Sequence, residues 1–229
     1  MQSIKPVSLG DIRAARGRIN GIAVRTPLVR FHVDDAPAEI YLKLENLQPI
    51  GSFKIRGAAN AIALADAADL ARGVYTASAG NMAQGVAFVA RLRGLACDVI
   101  VPDNAPDAKI QAILRFGGRV IKESFDRWWQ IMLDHGCPDR EGLFVHPVSD
   151  PAVIAGNGTI GLEIMEDLPD VESIVVPYGG GGLSGGIASA VKAIRPAVRV
   201  FACEVDTAAP LSASLKAGRP VPRACAIFS

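Results

Sequence analysis

The chain has 229 residues, and its 24 Lys and Arg against 23 Asp and Glu give a formal net charge of +1. This balance, with only 6% aromatic residues, provides neither the positive field nor the stacking platforms that a nucleic-acid partner needs. Apolar residues make up 50% of the chain and charged residues 21%, which is typical of a globular protein and excludes disorder over most of its length.

We expect a cytoplasmic protein with no membrane partner. The longest uncharged stretch, 173–191, contains Pro177 and six glycines, which argue against a membrane-spanning helix. The first six residues lack the apolar core of a signal peptide. The cysteines form no CxxC pair, so we expect reduced thiols. They are Cys97, Cys137, Cys203 and Cys225.

Helix and strand patterns alternate along the chain. In order, the predicted elements are helix 8–22, strands 28–33 and 40–45, helix 57–71, strand 74–77, helix 81–92, strand 98–101, helix 106–116, strand 119–122, helices 125–134 and 150–167, strand 173–176, helix 183–194, strand 199–203 and helix 208–217. This alternation predicts an α/β fold with mostly parallel sheet.

Local patterns refine the first elements. Ser8 followed three residues later by Asp11 predicts a capped helix start. In the second strand, alternation predicts that Ile40, Leu42 and Leu44 face inward.

Later elements carry three further expectations. Glycines predict a break in helix 150–167 near residues 156–158. Trp128 and Trp129 are neighbours on a helix, so their rings point about 100° apart and cannot share one packing face. Residues 225–229 have the pattern of the beginning of another strand.

The first segment with chemical potential surrounds Lys54. Gly51 and Gly57 flank this lysine, and Phe53 and Ile55 are its neighbours. Glycines let the backbone approach a ligand, and a desolvated lysine amine can form a Schiff base with a carbonyl. The alternative is an ordinary surface lysine at a helix start.

The second segment is Ser78, Ala79, Gly80 and Asn81, between a predicted strand and a predicted helix. Exposed N–H groups at a helix start bind a carboxylate or a phosphate. Asn81 adds a side-chain donor and acceptor. The alternative is a simple N-cap, in which Ser78 or Asn81 satisfies the helix amides.

The third segment is a run of glycines after an apolar strand. Gly179, Gly180, Gly181 and Gly182 precede a helix that begins at Leu183. Such a run is entropically costly, and it is useful where several amides must face one phosphate with no Cβ in the way.

The same loop also satisfies a rival motif. Gly180-x-Gly182-x-x-Gly185 matches the dinucleotide fingerprint, and Glu204 closes the next strand where a ribose-binding acid belongs. An NAD-dependent dehydrogenase is therefore the alternative enzyme. The motif begins some fifty residues from the chain end, which leaves half a nucleotide-binding fold and no role for the first two segments.

Taken together, the segments resemble the threonine/serine dehydratase family, among the fold-type II (tryptophan synthase β-like) pyridoxal phosphate enzymes that include serine racemase. The resemblance extends from about Thr26 onward. It rests on 46–58, 78–81 with 83–85, the tetraglycine turn, His146-Pro147, Asp150-Pro151 and 154–159.

The resemblance implies a role for each segment. Lys54 would hold pyridoxal 5′-phosphate as a Schiff base, with Phe53 packed beside it. Asn81 would bind the 3′ oxygen of the cofactor, and residues 179–183 would cradle its phosphate. The turn 78–81 would grip the carboxylate of an amino-acid substrate.

Several positions depart from the family pattern. Met82 stands where the family often has His, and Asn157 where it commonly has Gln. Racemases place an acid/base serine where this chain has Ala79, so we expect no racemisation. For the family's metal site, Glu204 and Ala208 match while Pro210 replaces the aspartate, so we expect no metal.

The resemblance predicts an ammonia-lyase that converts threonine or serine to a 2-oxo acid and ammonia. It predicts two open, twisted α/β lobes: 74–144 as the smaller, and 1–73 with 145–229 as the larger cofactor-binding lobe. The family's last third has no counterpart here, so an inactive truncated relative is a further alternative. A homodimer is the default assembly.

Overall fold

The computed structural model describes residues 6–219 and 221. Its helices are α1 (Leu9–Ile19), α2 (Lys54–Leu64), α3 (Ala67–Ala71), α4 (Asn81–Leu92), α5 (Asp107–Arg115), α6 (Phe125–Asp134), α7 (Pro151–Asp167), α8 (Gly182–Ile194) and α9 (Pro210–Ala217). Its strands are β1 (Leu28–Phe31), β2 (Ile40–Lys43), β3 (Val74–Ala77), β4 (Cys97–Pro102), β5 (Arg119–Glu123), β6 (Leu143–Phe144), β7 (Ser173–Pro177) and β8 (Arg199–Cys203).

Parallel sheet dominates, as predicted. Strands β5, β4, β3 and β6 lie in that order in one parallel sheet, and β7 pairs with β8 in a second. Strands β1 and β2 form an antiparallel pair. The two-residue β6 escaped sequence analysis because it is too short to show a pattern.

The four-stranded sheet is built entirely from residues between 74 and 144, the range predicted for the smaller lobe. Helix α4 covers one face of it, where Met82, Val86 and Val89 are buried in the main hydrophobic core. The division of the chain into two lobes remains a prediction.

Helix α7 lies at the centre of the other elements and packs against α1, α2 and α8. It is unbroken, so the predicted interruption near 156–158 was wrong. Gly156 lies against the backbone of Arg56, and a Cβ on Gly158 would lie 2.9 Å from the Gly186 carbonyl oxygen. These glycines bring helices close together rather than end one.

The inward face predicted for β2 was also wrong. Ile40 and Leu42 are 38% and 43% exposed, whereas the Lys43 side chain is 8% exposed. Lys43 Nζ lies 2.6 Å from a carboxylate oxygen of Glu163, which is itself buried. A buried charge must be paired, so this contact turns Lys43 inward.

Two local predictions were confirmed. The Ser8 hydroxyl accepts a hydrogen bond from the Asp11 amide, and the capping box is complete. Trp128 packs partly buried against the cluster that contains Ile131, while Trp129 is 48% exposed, so only one of the two rings faces the core, although both contact Phe125.

The strand predicted at residues 225–229 lies outside the described residues. Cys97, Cys137 and Cys203 are free. Across residues 6–219 and 221, every helix is too short or too polar to cross a lipid bilayer.

Candidate active site

Lys54 is the first residue of α2, and its amine is largely buried. Lys54 Nζ donates a hydrogen bond to the Pro147 carbonyl oxygen at 2.7 Å and lies 5.3 Å from the centre of the Phe53 ring. Burial disfavours the ammonium form and lowers the pKa of Lys54 to about 8. A larger share of this amine is therefore neutral and nucleophilic at neutral pH than of an ordinary lysine.

The glycine loop lies directly on Val148, one residue after the carbonyl that receives Lys54. A Cβ on Gly180 would lie 2.6 Å from Val148 Cγ1, and a Cβ on Gly182 would lie 2.6 Å from the Val148 carbonyl oxygen. Neither position has room for a side chain. Gly181 has φ +86°, a backbone conformation that favours glycine.

The loop ends at the start of α8, which begins at Gly182. The first amides of a helix lack intrahelical acceptors, so this end suits a phosphate. Leu183 and Phe53 both pack against the hydrophobic cluster between α8 and β7. Lys54 and the glycine loop therefore converge on the turn at residues 147–148, and Phe53 shares a hydrophobic cluster with Leu183.

Asn157 supports the loop from α7. It is fully buried, and its Nδ2 donates to the Gly182 carbonyl oxygen at 3.3 Å. Its Oδ1 is buried without a hydrogen-bond partner among the described residues. This oxygen lies 3.0 Å from the position that a Cβ on Gly57 would take, so it is buried in the contact between α2 and α7.

The segment 78–81 forms the connection from β3 to α4. The Ser78 hydroxyl accepts from the Gly80 amide at 3.2 Å, and Asn81, the first residue of α4, is exposed. A Cβ on Gly85 would lie 3.4 Å from the backbone of Lys54, so α4 packs against the start of α2. This packing brings the helix start that carries Asn81 to the same side of the molecule as Lys54. Ala79 is partly buried against the main core.

These residues fit pyridoxal 5′-phosphate. The desolvated amine suits its aldehyde, and the glycine loop at a helix start suits its phosphate. The side-chain-free positions Gly180 and Gly182 form a cradle that a Cβ would disturb. The family model described as pyridoxal-phosphate dependent enzyme matches residues 19–226.

The chain belongs to this family of pyridoxal-phosphate dependent enzymes. It is 46% identical over 218 residues to the L-threonine ammonia-lyase of Thermotoga maritima, covering 93% of this chain and 54% of that protein. It is 40% identical over 216 residues to the catabolic L-threonine dehydratase of Escherichia coli K12, covering 93% and 66%. The chain thus spans between half and two thirds of the length of these relatives.

Solved structures of the family have the same fold. Maize serine racemase matches with a TM-score of 0.86 at 34% identity, covering 95% of this chain and 67% of that one. The processed form of threonine deaminase isoform 2 from Solanum lycopersicum matches with a TM-score of 0.83 at 33% identity, covering 95% and 62%. The predicted family, fold class and cofactor are therefore confirmed.

Family membership decides against the NAD-dependent alternative. Glu204, the candidate ribose ligand, accepts hydrogen bonds from the amides of Leu211 and Ser212 at 2.7 and 2.9 Å. Its carboxylate thus caps α9. The weak metal candidates, Glu204 and Ala208, belong to no group of three or more metal-ligating side chains within the described part of the chain.

The parts of the site that lie far from Lys54 along the chain were not predicted from the sequence. Val148 was not singled out, and His146 and Pro147 were noted only as a matching motif. Asn157 was noted only as a departure. Their roles depend on contacts with Lys54 and the glycine loop, which no local pattern encodes.

Proposed function

We propose that the protein acts in an ammonia-lyase that converts threonine or serine, with pyridoxal 5′-phosphate, to a 2-oxo acid and ammonia. The observation that carries this proposal is the Lys54 amine, bonded to the Pro147 carbonyl oxygen beside a glycine loop. The relatives named L-threonine ammonia-lyase support the choice of reaction. Because the chain spans only part of their length, the activity of the whole protein belongs to the proposal.

Lys54 has two roles in this proposal. It holds the cofactor covalently, and once displaced by the amino group of the substrate it takes the proton from Cα. An amine with a pKa of about 8 is well matched to that transfer near neutral pH. When bound, the cofactor supplies an electron sink for the negative charge that develops on Cα.

The remaining residues bind and orient. The amides of residues 179–183 bind the cofactor phosphate at the start of α8, with Asn157 holding the Gly182 carbonyl. Ser78, Gly80 and Asn81 bind the substrate carboxylate. The substrate loses its Cα proton and its 3-hydroxyl as water, and hydrolysis then releases ammonia and the 2-oxo acid.

Serine racemisation is the second candidate, since solved serine racemases share the fold. Ala79 argues against it. Inverting Cα requires a second proton carrier on the opposite face, and a methyl side chain has no proton to transfer. We therefore propose elimination rather than inversion.

The test combines covalent mapping with product analysis. The purified chain is loaded with pyridoxal 5′-phosphate, reduced with borohydride and mapped by peptide mass, and unreduced samples are assayed for 2-oxo acid from threonine and serine. We expect the label on Lys54 and 2-oxo acid release that Lys54→Ala abolishes. Lys109→Ala, at an exposed lysine, is the matched control.

Three outcomes would contradict the proposal. A label absent from Lys54 would refute the cofactor link. A label on Lys54 without product would favour the inactive relative. D-serine formed from L-serine would favour the racemase. Size-exclusion chromatography on the same samples tests the predicted homodimer.

A further inference from the structure

His146 is a buried histidine whose two ring nitrogens are both engaged. It is 5% exposed. Nδ1 accepts from the amides of Val148 at 3.1 Å and Ser149 at 2.9 Å. An Nδ1 that accepts two N–H groups carries no proton, so the proton lies on Nε2, which donates to the Met132 carbonyl oxygen at 3.2 Å.

The surroundings keep this ring neutral. Burial is the main cause that lowers the pKa of His146 to about 4; electrostatic effects of His135 and Lys54 act in the same direction, and the hydrogen bond to the Met132 carbonyl opposes them. The His135 ring stacks on it with centroids 4.1 Å apart. At neutral pH, Nδ1 therefore remains an acceptor.

The turn that His146 holds carries both halves of the site. Pro147 provides the carbonyl that receives the Lys54 amine, and Val148 provides the surface beneath Gly180 and Gly182. The amides of Val148 and Ser149 both donate hydrogen bonds to Nδ1 of His146. Displacing this turn moves the partner of Lys54 and the support of the phosphate loop together.

We propose that His146 is a positioning residue that, through the turn at residues 147–149, fixes the Lys54 amine and the glycine loop in one geometry for the cofactor. The inference rests on the proposed function for the identity of the ligand. His146 touches neither cofactor nor substrate in this scheme and acts through Pro147 and Val148.

Two substitutions separate the two ring nitrogens. In His146→Asn the side-chain oxygen stands near the position of Nδ1 and can accept from the turn, but the bond to Met132 is lost. In His146→Gln the amide nitrogen reaches the position of Nε2 and can donate to Met132, but the acceptor for the turn is lost. His32→Gln, at an exposed histidine, controls for the substitution itself.

The first measurement needs no cofactor. Competitive labelling with acetic anhydride across pH, quantified at Lys54 by peptide mass spectrometry, gives the pKa of this amine in the full chain. We expect a pKa of about 8 in the parent chain, in His146→Asn and in His32→Gln. In His146→Gln we expect it to rise towards 10.5, the ordinary value for lysine, because the loosened turn admits water.

The second measurement is the dissociation constant for pyridoxal 5′-phosphate, followed by the absorbance of its Lys54 adduct. We expect His146→Gln to weaken binding about tenfold, which corresponds to the loss of one or two hydrogen bonds. We expect His146→Asn to bind within about threefold of the parent chain, because its acceptor for the turn is kept. Thermal unfolding of all four proteins is recorded alongside.

Two outcomes would overturn the inference about His146. Equal loss of affinity in the Asn and Gln variants, in proportion to their loss of thermal stability, would overturn the inference, since it indicates a general packing role. An unchanged Lys54 pKa in His146→Gln would do the same. If the parent chain binds no cofactor, the proposed function fails, and the labelling experiment still decides the role of His146.

Discussion

Arg56 donates hydrogen bonds to both carboxylate oxygens of Glu163, at 2.6 and 2.9 Å, although the two side chains are only 1% and 5% exposed. The pair joins α2, two residues after Lys54, to the C-terminal part of α7. Arg56 also donates hydrogen bonds from Nε and Nη2 to the Glu45 carboxylate, and Lys43 forms an ion pair with Glu163. This buried network fixes the start of the helix that presents Lys54.

Removing the shared carboxylate should be severely destabilising. In Glu163→Gln, Lys43 loses its close ion pair and keeps only the 3.9 Å contact with Asp167, and Arg56 loses one of its two carboxylate partners inside the protein. Breaking a buried ion pair costs about 3–5 kcal/mol, and we expect the free energy of unfolding to fall by about this amount. Urea unfolding monitored by tryptophan fluorescence measures it.

The matched control is Glu166→Gln, one turn of α7 further along. Glu166 pairs with Arg16 and Arg25, but its side chain is 44% exposed. Surface pairs contribute about 0–1 kcal/mol, so we expect little change. Equal losses in the two variants would contradict the special role of the buried network.

Features that depend on neighbours in sequence could be predicted from the sequence. The glycine loop and the capping pair Ser8 and Asp11 each occupy a few consecutive residues, and local backbone chemistry determines them. The helix predicted over 57–71 has different bounds, because α2 begins at Lys54 and ends at Leu64, and α3 follows it. The strand 199–203 and the helix 125–134 were predicted with the bounds that the structure has.

Features that depend on partners distant in the sequence could not be predicted from the sequence. Lys43 on β2 faces inward because Glu163, on helix α7, is buried beside it. Helix α7 continues through Gly156 and Gly158 because α2 and α8 press against those positions. In each case tertiary contacts override the local pattern, and a single sequence does not reveal them.

The glycine loop allows a test with adjacent positions. In Gly180→Ala the new Cβ would lie 2.6 Å from Val148, whereas a Cβ on Gly179 has nothing within 4 Å. We expect Gly180→Ala to weaken pyridoxal 5′-phosphate binding about tenfold or more, because the loop must shift by a substantial fraction of an ångström. Gly179→Ala should bind nearly as the parent chain does, as measured by absorbance titration.

A compensating substitution identifies the cause. Val148→Ala removes two of the three close contacts of the new side chain, those with Cγ1 and Cγ2, and leaves the one with Cβ at 2.8 Å, so the double variant Gly180→Ala, Val148→Ala should recover part of the lost affinity. Weaker binding in the double variant than in Gly180→Ala alone would show that the steric explanation is wrong.

The two tryptophans of α6 should contribute differently to the stability of the protein, and each can be tested for a role in substrate choice. Trp128 packs against the buried cluster that contains Ile131 and Ile100, so we expect Trp128→Ala to cost about 3 kcal/mol. Trp129 is 48% exposed, and Trp129→Ala should change stability by no more than about 0.5 kcal/mol. Comparing 2-oxo acid release from threonine, serine and phenylserine in both variants tests whether either ring lines the side-chain pocket. Unchanged relative rates would exclude both.

Lys54 should lower the stability of the cofactor-free chain at neutral pH. Below pH 8 the folded and unfolded chains both hold the proton, and the folded chain bears the full cost of a buried ammonium. Between pH 8 and 10.5 the unfolded chain binds more protons than the folded chain, so stability rises with pH.

Lys54→Met keeps an apolar stem of similar length and removes the charge. The lowered pKa of Lys54, about 8 against 10.5, corresponds to roughly 3 kcal/mol, which partial exposure reduces to about 2. We therefore expect Lys54→Met to raise the free energy of unfolding by about 2 kcal/mol at pH 7, with the gain shrinking between pH 8 and 10.5. Lys109→Met, at an exposed position, should gain nothing. A gain that persists unchanged at pH 10.5 would show that methionine packing, rather than removal of the buried charge, stabilises the variant.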